Sequence, residues 1–222
     1  SERLPDLLAW LGVLGLVWGH AMALVQVGLR RLVGWLGVGQ AGFFALALVD
    51  AQGDGGPALV LALVAAGAAT AGVMAVLASL SHHERACEQI GDLGGMLQRS
   101  PIRAALLGLF LMSLGGLPGT IGFVARFEIL SALERSGPRP LLVMGLAGTV
   151  LALTAVGRPM LAMVRPEEAG QGQSRALSHE QFVLASCGLV VLYLGVAPLV
   201  GDDLLSAELF EGIDRALEAL RR

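Results

Sequence analysis

Long apolar runs separated by short polar stretches dominate the sequence. Each of six runs has the length that a helix needs to cross a membrane, about 20 residues. These runs predict membrane spans at about 7–27, 32–49, 57–80, 102–133, 140–163 and 182–200. Residues 202–222 place apolar side chains at helical spacing between acids and arginines, so they predict an amphipathic helix lying on the membrane surface. The pattern predicts an all-α polytopic membrane protein with a single transmembrane domain.

The fourth predicted span contains residues that are unfavourable inside a helix. Between Arg103 and Glu134 the only charged residues are Arg126 and Glu128, and a straight helix of that length would extend roughly 45 Å, against a hydrocarbon core of about 30 Å. Proline lacks a backbone donor and glycine disfavours helix, so the span is expected to break. The residues expected at the break are Ser113, Gly115, Gly116, Pro118, Gly119 and Thr120.

A break inside a membrane is tolerated where neighbouring protein or water pairs the freed backbone groups. Broken helices of this kind commonly line ion paths in transporters, and an arginine inside a span indicates a functional site. Arg126 is therefore a candidate ion-path residue. The simpler alternative is a proline kink with an arginine that extends to the membrane surface.

Composition and charge support the membrane class and set an orientation. Hydrophobic residues make up 55% of the chain and charged residues 15%, which excludes a soluble globular domain. All fifteen basic residues are arginine, and most of them follow the first, third and fifth spans. Basic loops favour the cytoplasmic side, so both termini are expected on the opposite side, in the periplasm or its equivalent. Nothing in the sequence indicates a nucleic-acid partner.

No group of residues has the spacing of a metal or cofactor site. Cys87 and Cys187 lack metal or redox spacing, and the cluster at residues 82–84 lacks the helical spacing of a metal site. The sequence has neither a cysteine ligand set nor a phosphate-binding loop. We therefore expect no cofactor, no metal and no catalytic centre in this chain.

Two stretches resemble a known family. Gly19 to Phe43, with Arg30-Arg31 and Gln40-Ala41-Gly42-Phe43, resembles a segment of the antiporter-like membrane subunits of respiratory complex I, NADH:quinone oxidoreductase. In that segment a Lys-Arg pair precedes a helix ending in His-x-Gly-Tyr. Ser113 to Phe127, Ser-Leu-Gly-Gly-Leu-Pro-Gly-Thr-Ile-Gly-Phe-Val-Ala-Arg-Phe, resembles the family's Ser-Leu-x-Gly-Ile-Pro-x-Thr-x-Gly-Phe-x-x-Lys-Phe motif, which lies on a broken helix. The resemblance implies a proton-translocating subunit related to those of Mrp-type antiporters.

The resemblance extends over essentially the whole chain but matches only the C-terminal portion of the family, its second five-helix repeat plus the final helix. It is greatest with the N type, since the long lateral helix of the L type is absent and the M type usually has an acid in place of Arg126. The implied partners are the missing N-terminal half, other membrane subunits and the lipid bilayer. Redox chemistry with NADH, FMN, iron–sulfur clusters and quinone is expected in other subunits.

The resemblance also implies roles for single residues on the proton path. Arg126 stands in place of the family's lysine, and arginine keeps its proton near neutral pH, whereas a buried lysine can release it. Gln40 replaces a histidine of many relatives, and a helix-to-helix hydrogen bond explains it equally well. His20 is a candidate proton relay, although a structural role is favoured. Arg158 matches an arginine of the family, but the tyrosines that usually precede it are absent.

Arg30 and Arg31 match the family's Lys-Arg pair at the cytoplasmic end, and a role as interfacial anchors explains them more simply. Three classes of function stay open. The first is a half-channel that passes protons through Gln40, the break and Arg126. The second is a subunit of a multisubunit cation/proton antiporter or of a membrane-bound hydrogenase. The third is an inert structural membrane subunit whose ionisable path has decayed.

Overall fold

The computed structural model describes residues 3–50, 53–81, 89–136, 138–165 and 178–196. These residues are almost entirely helical, and they form no strand beyond an isolated antiparallel bridge between Gly28 and Gln89. The helices are α1 (Arg3–Val25), α2 (Leu29–Ala47), α3 (Gly55–Ser81), α4 (Met96–Arg99), α5 (Pro101–Gly115), α6 (Ile121–Ser136), α7 (Arg139–Val164) and α8 (Ser178–Val196). The predicted all-α class is confirmed. The predicted amphipathic helix at 202–222 lies outside the described residues.

Four of the described helices are long and apolar enough to cross a membrane, judged by length and composition. They are α1, α2 with the 3-10 turn that follows it, α3 and α7. Helices α5 and α6 are shorter because together they form the predicted fourth span, which is interrupted between Gly115 and Ile121. Large apolar side chains such as Trp10, Trp18 and Leu161 are exposed on the helix surfaces, as expected where lipid surrounds a helix.

Helices α1 and α2 form an antiparallel pair whose backbones approach closely through glycines. A Cβ atom at Gly42 would lie 2.3 Å from the backbone nitrogen of Leu16, and one at Gly19 would lie 2.4 Å from that of Gly39. No other residue type fits these positions without moving a backbone. Small residues allow membrane helices to gain van der Waals contact in this way.

We expect Gly42→Ala to lower the thermal stability of the protein, because the added methyl group would overlap the backbone of α1. Gly34→Ala is the matched control, since it lies on the same helix and no atom comes within 4 Å of its added Cβ. The control is expected to be neutral or stabilising by up to about 1 kcal/mol, because alanine favours helix more than glycine does. Thermal unfolding of the detergent-solubilised variants measures both effects. Equal stability of the two variants would contradict this account of the α1–α2 contact.

Residues 90–99, which lie between the third and fourth predicted spans, form local helical structure. A 3-10 turn, Ile90–Leu93, and the short helix α4 lie there. The side chain of Asp92 accepts a hydrogen bond from the backbone N–H of Gln89 at 2.8 Å and caps the turn. Leu93 and Met96 are buried against the bundle. The apolar positions at three-residue spacing therefore pack this segment against the bundle. The polar residues between them hide this spacing in the sequence.

Helix α6 occupies the centre of the bundle, in contact with α2, α3, α5, α7 and α8. Its buried residues include Ile121, Ala125, Arg126 and Ile129, which recur at helical spacing. This face is turned toward α2, α3 and α5. The fold therefore places the only arginine of α6's first two turns inside the bundle.

Candidate functional site

Helix α5 ends at the break in a Schellman motif. Gly116 has φ +79°, a left-handed conformation that favours glycine. The backbone N–H of Leu117 donates to the carbonyl of Met112 at 2.9 Å, and that of Gly116 donates to the carbonyl of Ser113 at 3.1 Å. Two further carbonyls at the helix end, those of Leu114 and Gly115, have no backbone donor in this motif.

Arg126 pairs both of these carbonyls. One terminal nitrogen of its guanidinium donates to the carbonyl of Gly115 at 2.7 Å, and the other donates to the carbonyl of Leu114 at 2.5 Å. The amide nitrogen of Gln40 also donates to the Leu114 carbonyl, at 2.9 Å. Two of the predicted site residues therefore meet at one oxygen atom. The positive charge also lies at the negative end of the α5 dipole, which is the favourable end for a cation.

The guanidinium of Arg126 is held in a largely apolar place. The side chain is only 4% exposed, and its Cζ atom lies 4.9 Å from the centre of the Phe43 ring, within cation–π range. Among the described residues no carboxylate forms a salt bridge with Arg126. Its charge is therefore stabilised by helix-end carbonyls and an aromatic face.

Two buried polar atoms beside the guanidinium have no hydrogen-bond partner among the described residues. They are Nε of Arg126 and Oγ of Ser113. Both side chains line a cavity of about 10 Å3, together with Gln40 and Phe43. A cavity of about this size is the smallest that holds one water molecule, and it does so only where polar groups can bind the water. The site therefore has the size and the polar groups for a single internal water.

His20 is fully buried on α1, at the contact with α2. A Cβ atom at Gly39 would lie 2.4 Å from its Nε2 atom, so the ring needs a glycine opposite it. The centre of the His20 ring lies 6.3 Å from that of Phe43, with the rings tilted by 59°. Phe43 thus contacts both His20 and the guanidinium of Arg126. This brings a third predicted site residue to the neighbourhood of the break.

The remaining predicted site residues lie elsewhere. Arg158 on α7 donates hydrogen bonds to the carbonyls of Leu24 and Gln26, the latter at 2.9 Å, so it caps the end of α1. Arg30 and Arg31 are exposed in the first turn of α2, beside a surface pocket of about 230 Å3. The structure therefore does not bring these three arginines to the break.

The rest of the break is formed by short-range contacts. The hydroxyl of Thr120 donates to the carbonyl of Leu117 at 2.8 Å and closes the turn that contains Pro118. Gly119 has φ +87°. A Cβ atom at Gly195 of α8 would lie 2.4 Å from the backbone of Thr120, so the last described helix packs closely against the break.

Four contributors to the site were missed by sequence reasoning: Phe43, Gly195 and the carbonyls of Leu114 and Gly115. Phe43 is part of the first family-like stretch and has no predicted role of its own, although it follows Gln40 by three residues and therefore shares its helix face. Gly195 carries no local signal, because its role depends on the distant Thr120. The carbonyls of Leu114 and Gly115 became visible only once the geometry of the helix end was known.

The fold and the site together define a class: an all-α membrane protein whose broken central helix holds a buried, hydrogen-bonded arginine. The model of one protein family, "NADH:quinone oxidoreductase/Mrp antiporter, TM", matches residues 1–152. The chain therefore belongs to this family, which confirms the family inferred from the two sequence motifs.

Known relatives belong to the same kinds of protein, and this chain matches only part of the length of each. NADH-quinone oxidoreductase subunit N of Bdellovibrio bacteriovorus is 26% identical over 222 residues, which cover 98% of this chain and 44% of the relative. A chain of respiratory complex I from Thermus thermophilus is 27% identical, with a TM-score of 0.69 over 87% of this chain and 44% of that one. A chain of the Mrp complex from Dietzia sp. DQ12-45-1b shares the fold, with a TM-score of 0.73 at 18% identity, over 92% of this chain and 46% of that one. The chain thus spans less than half the length of these proteins.

Proposed function

We propose that this chain forms the C-terminal half-channel of a proton-translocating membrane subunit of NADH:quinone oxidoreductase, of the N type. Similarity to subunit N over nearly the whole chain supports this assignment. The observation that carries it is the buried guanidinium of Arg126 at the helix break. The guanidinium shares the Leu114 carbonyl with Gln40, and Arg126 and Ser113 line a small cavity beside it. An ionisable residue inside a membrane span typically marks an ion path.

In this proposal Arg126 acts as a fixed positive charge and does not carry the proton. Arginine remains protonated, so it can orient water and bias nearby ionisable groups without releasing a proton itself. The free Nε–H of Arg126 and the Ser113 hydroxyl bind water in the adjoining cavity, and the proton moves along that water. His20 lies near this path, separated from Arg126 by the Phe43 ring. Arg158, Arg30 and Arg31 stabilise the cytoplasmic ends of the helices.

The proposed setting is a multi-pass protein of a bacterial inner membrane, with both termini in the periplasm. Other membrane subunits are the proposed partners, since the solved structures that resemble the chain are multisubunit membrane complexes. A unit corresponding to the remaining part of the N-type relatives supplies the first half of the path. NADH, FMN, iron–sulfur clusters and quinone act in other subunits of the complex.

Two other functions each have one observation in their favour. The family description, which includes the Mrp antiporter, favours a subunit of a cation/proton antiporter. The pairing of Arg126 with two helix-end carbonyls favours an inert structural subunit, because that pairing alone stabilises the break. Similarity to subunit N, and the two polar atoms without a partner beside the cavity, favour the proton half-channel over both.

The test compares the isolated chain with the assembled complex, both reconstituted in liposomes. We expect no proton flux from the chain alone, because the family builds its path from two repeats that meet in the membrane. The complete complex is expected to acidify the lumen when NADH reduces quinone. Robust flux from the isolated chain contradicts the half-channel assignment. Acidification driven by a sodium gradient, without electron transfer, assigns the chain to an antiporter.

A further inference from the structure

Glu128 is the second charged residue of the predicted fourth span, and the break does not use it. It lies on α6 two residues after Arg126, so it projects about 200° around the helix from the guanidinium. Its side chain is half-buried, whereas Phe127 and Glu134 on the same helix are exposed. Among the described residues, no hydrogen bond or salt bridge pairs its carboxylate. A carboxylate with these properties inside a span calls for an explanation, because such groups typically belong to proton relays.

The charged neighbours of Glu128 lie at the C-terminal end of α6, which the proposed orientation places at the outer, periplasmic surface. Arg135 follows it by seven residues, two helical turns on the same face, and forms a salt bridge of 3.1 Å with Asp54 in the turn before α3. Both partners of this bridge are about 60% exposed. Arg135 and Asp54 are within electrostatic range of Glu128. A line of ionisable groups therefore runs from the level of Arg126 to the exposed outer end of the helix.

The helices packed against α6 bring no other charge to this level. Helix α3 and the described side chains of α8 carry none. The charged residues of α2 and α5 (Arg30, Arg31 and Arg103) lie at the opposite ends of those helices. Of the remaining described charges, Asp50, Glu134 and Arg139 lie near the outer end. Glu128 is thus the only carboxylate in the described part of the chain that stands between the break and the outer surface.

We propose that Glu128 is the proton-release group of this half-channel, which receives a proton on the side of the break and delivers it to water beside the Arg135–Asp54 pair. This inference rests on the function proposed above. The carboxylate takes one proton from the proposed path, becomes a neutral carboxylic acid and then returns one proton to the outer water. No electron moves and no bond between heavy atoms changes. Arg126 cannot perform this step because it keeps its proton, whereas a carboxyl group can exist in both forms.

The experiment measures the proton-to-electron ratio of the assembled complex in membrane vesicles. Glu128→Gln keeps the shape of the side chain and removes its titration, so the ratio is expected to fall several-fold while quinone reduction continues. Glu134→Gln is the matched control on the same helix, and it is expected to keep the wild-type ratio. An unchanged ratio in Glu128→Gln overturns the proposal.

Glu128→Asp provides a second test of the proposal, which can be carried out even if the glutamine variant does not assemble. It keeps a carboxyl group whose ordinary pKa is lower than that of glutamate, about 3.9 against about 4.3. Pumping with a shifted pH dependence supports the proposal, and pumping with the wild-type pH dependence overturns it. Arg126→Ala is measured in parallel. A ratio lowered by Arg126→Ala but not by Glu128→Gln rejects only the role of Glu128, whereas an unchanged ratio in both variants rejects the proposed function as well.

Discussion

Replacing Arg126 with alanine is expected to lower proton pumping several-fold more than quinone reduction in the assembled complex. The substitution removes the only charge that the described residues place at the break, and it leaves the carbonyls of Leu114 and Gly115 without their guanidinium donors. Each buried acceptor left unpaired costs about 1–3 kcal/mol, although Gln40 still donates to Leu114. On the proposed function, loss of the fixed charge disorders the water beside the break, whereas electron transfer, which the proposal places in other subunits, is unaffected.

Arg126→Lys separates the charge from the hydrogen-bond geometry. Lysine keeps the charge and restores a group that burial can deprotonate, so we expect this variant to keep or raise the proton-to-electron ratio. It does not reproduce the planar two-carbonyl contact, so a moderate loss of thermal stability is expected. Arg139→Ala, an exposed arginine at the start of α7, is the control and is expected to change neither quantity.

Pumping and electron transfer have to be measured separately on each variant. If Arg126 only stabilises the break, both substitutions will leave the ratio at its wild-type value and will alter assembly or thermal stability alone. An unchanged proton-to-electron ratio in an assembled Arg126→Ala complex would therefore show that Arg126 is not part of the proton path. The inert structural subunit would then be the better interpretation.

The architecture could be predicted from the sequence because membrane helices are specified by local properties. Length and apolar composition define a span, and glycine with proline in residues 115–119 defines where a span breaks. The bounds of α3 and α7 depend on these features alone. Helix α4 was missed because it has only four residues, and the apolar three-residue spacing that buries Met96 lies within a mostly polar stretch.

The partners of a buried side chain could not be predicted in the same way. The sequence shows that Arg126 lies inside a span, but its hydrogen bonds depend on where α5 ends and on the angle between α5 and α6. A close approach fixes that angle, since a Cβ atom at Gly122 would lie 1.9 Å from the Ser113 carbonyl oxygen. For Arg158, the family resemblance predicted a place on the ion path. Its guanidinium instead donates hydrogen bonds to carbonyls at the end of α1. Side-chain contacts depend on the relative placement of helices, which sequence motifs do not specify.

Gly116→Ala is expected to lower the proton-to-electron ratio, and Gly119→Ala is expected to leave it unchanged. Both glycines have positive φ, +79° and +87°, so alanine at either position adds a similar strain of about 1–2 kcal/mol. The two positions differ in their surroundings. A Cβ atom at Gly116 would lie 2.7 Å from Cδ of Arg126, whereas no atom comes within 4 Å of one at Gly119.

The difference between these two variants isolates the position of the guanidinium. Two hydrogen bonds hold Arg126 against the end of α5, so its side chain cannot move away from an added methyl group without losing at least one of them. Both variants should therefore show lower thermal stability, while only Gly116→Ala should also uncouple pumping from quinone reduction. Equal ratios in the two assembled variants would mean that proton transfer tolerates a displaced guanidinium. In that case the charge at the break acts through its presence in the membrane and not through its contacts with Leu114 and Gly115.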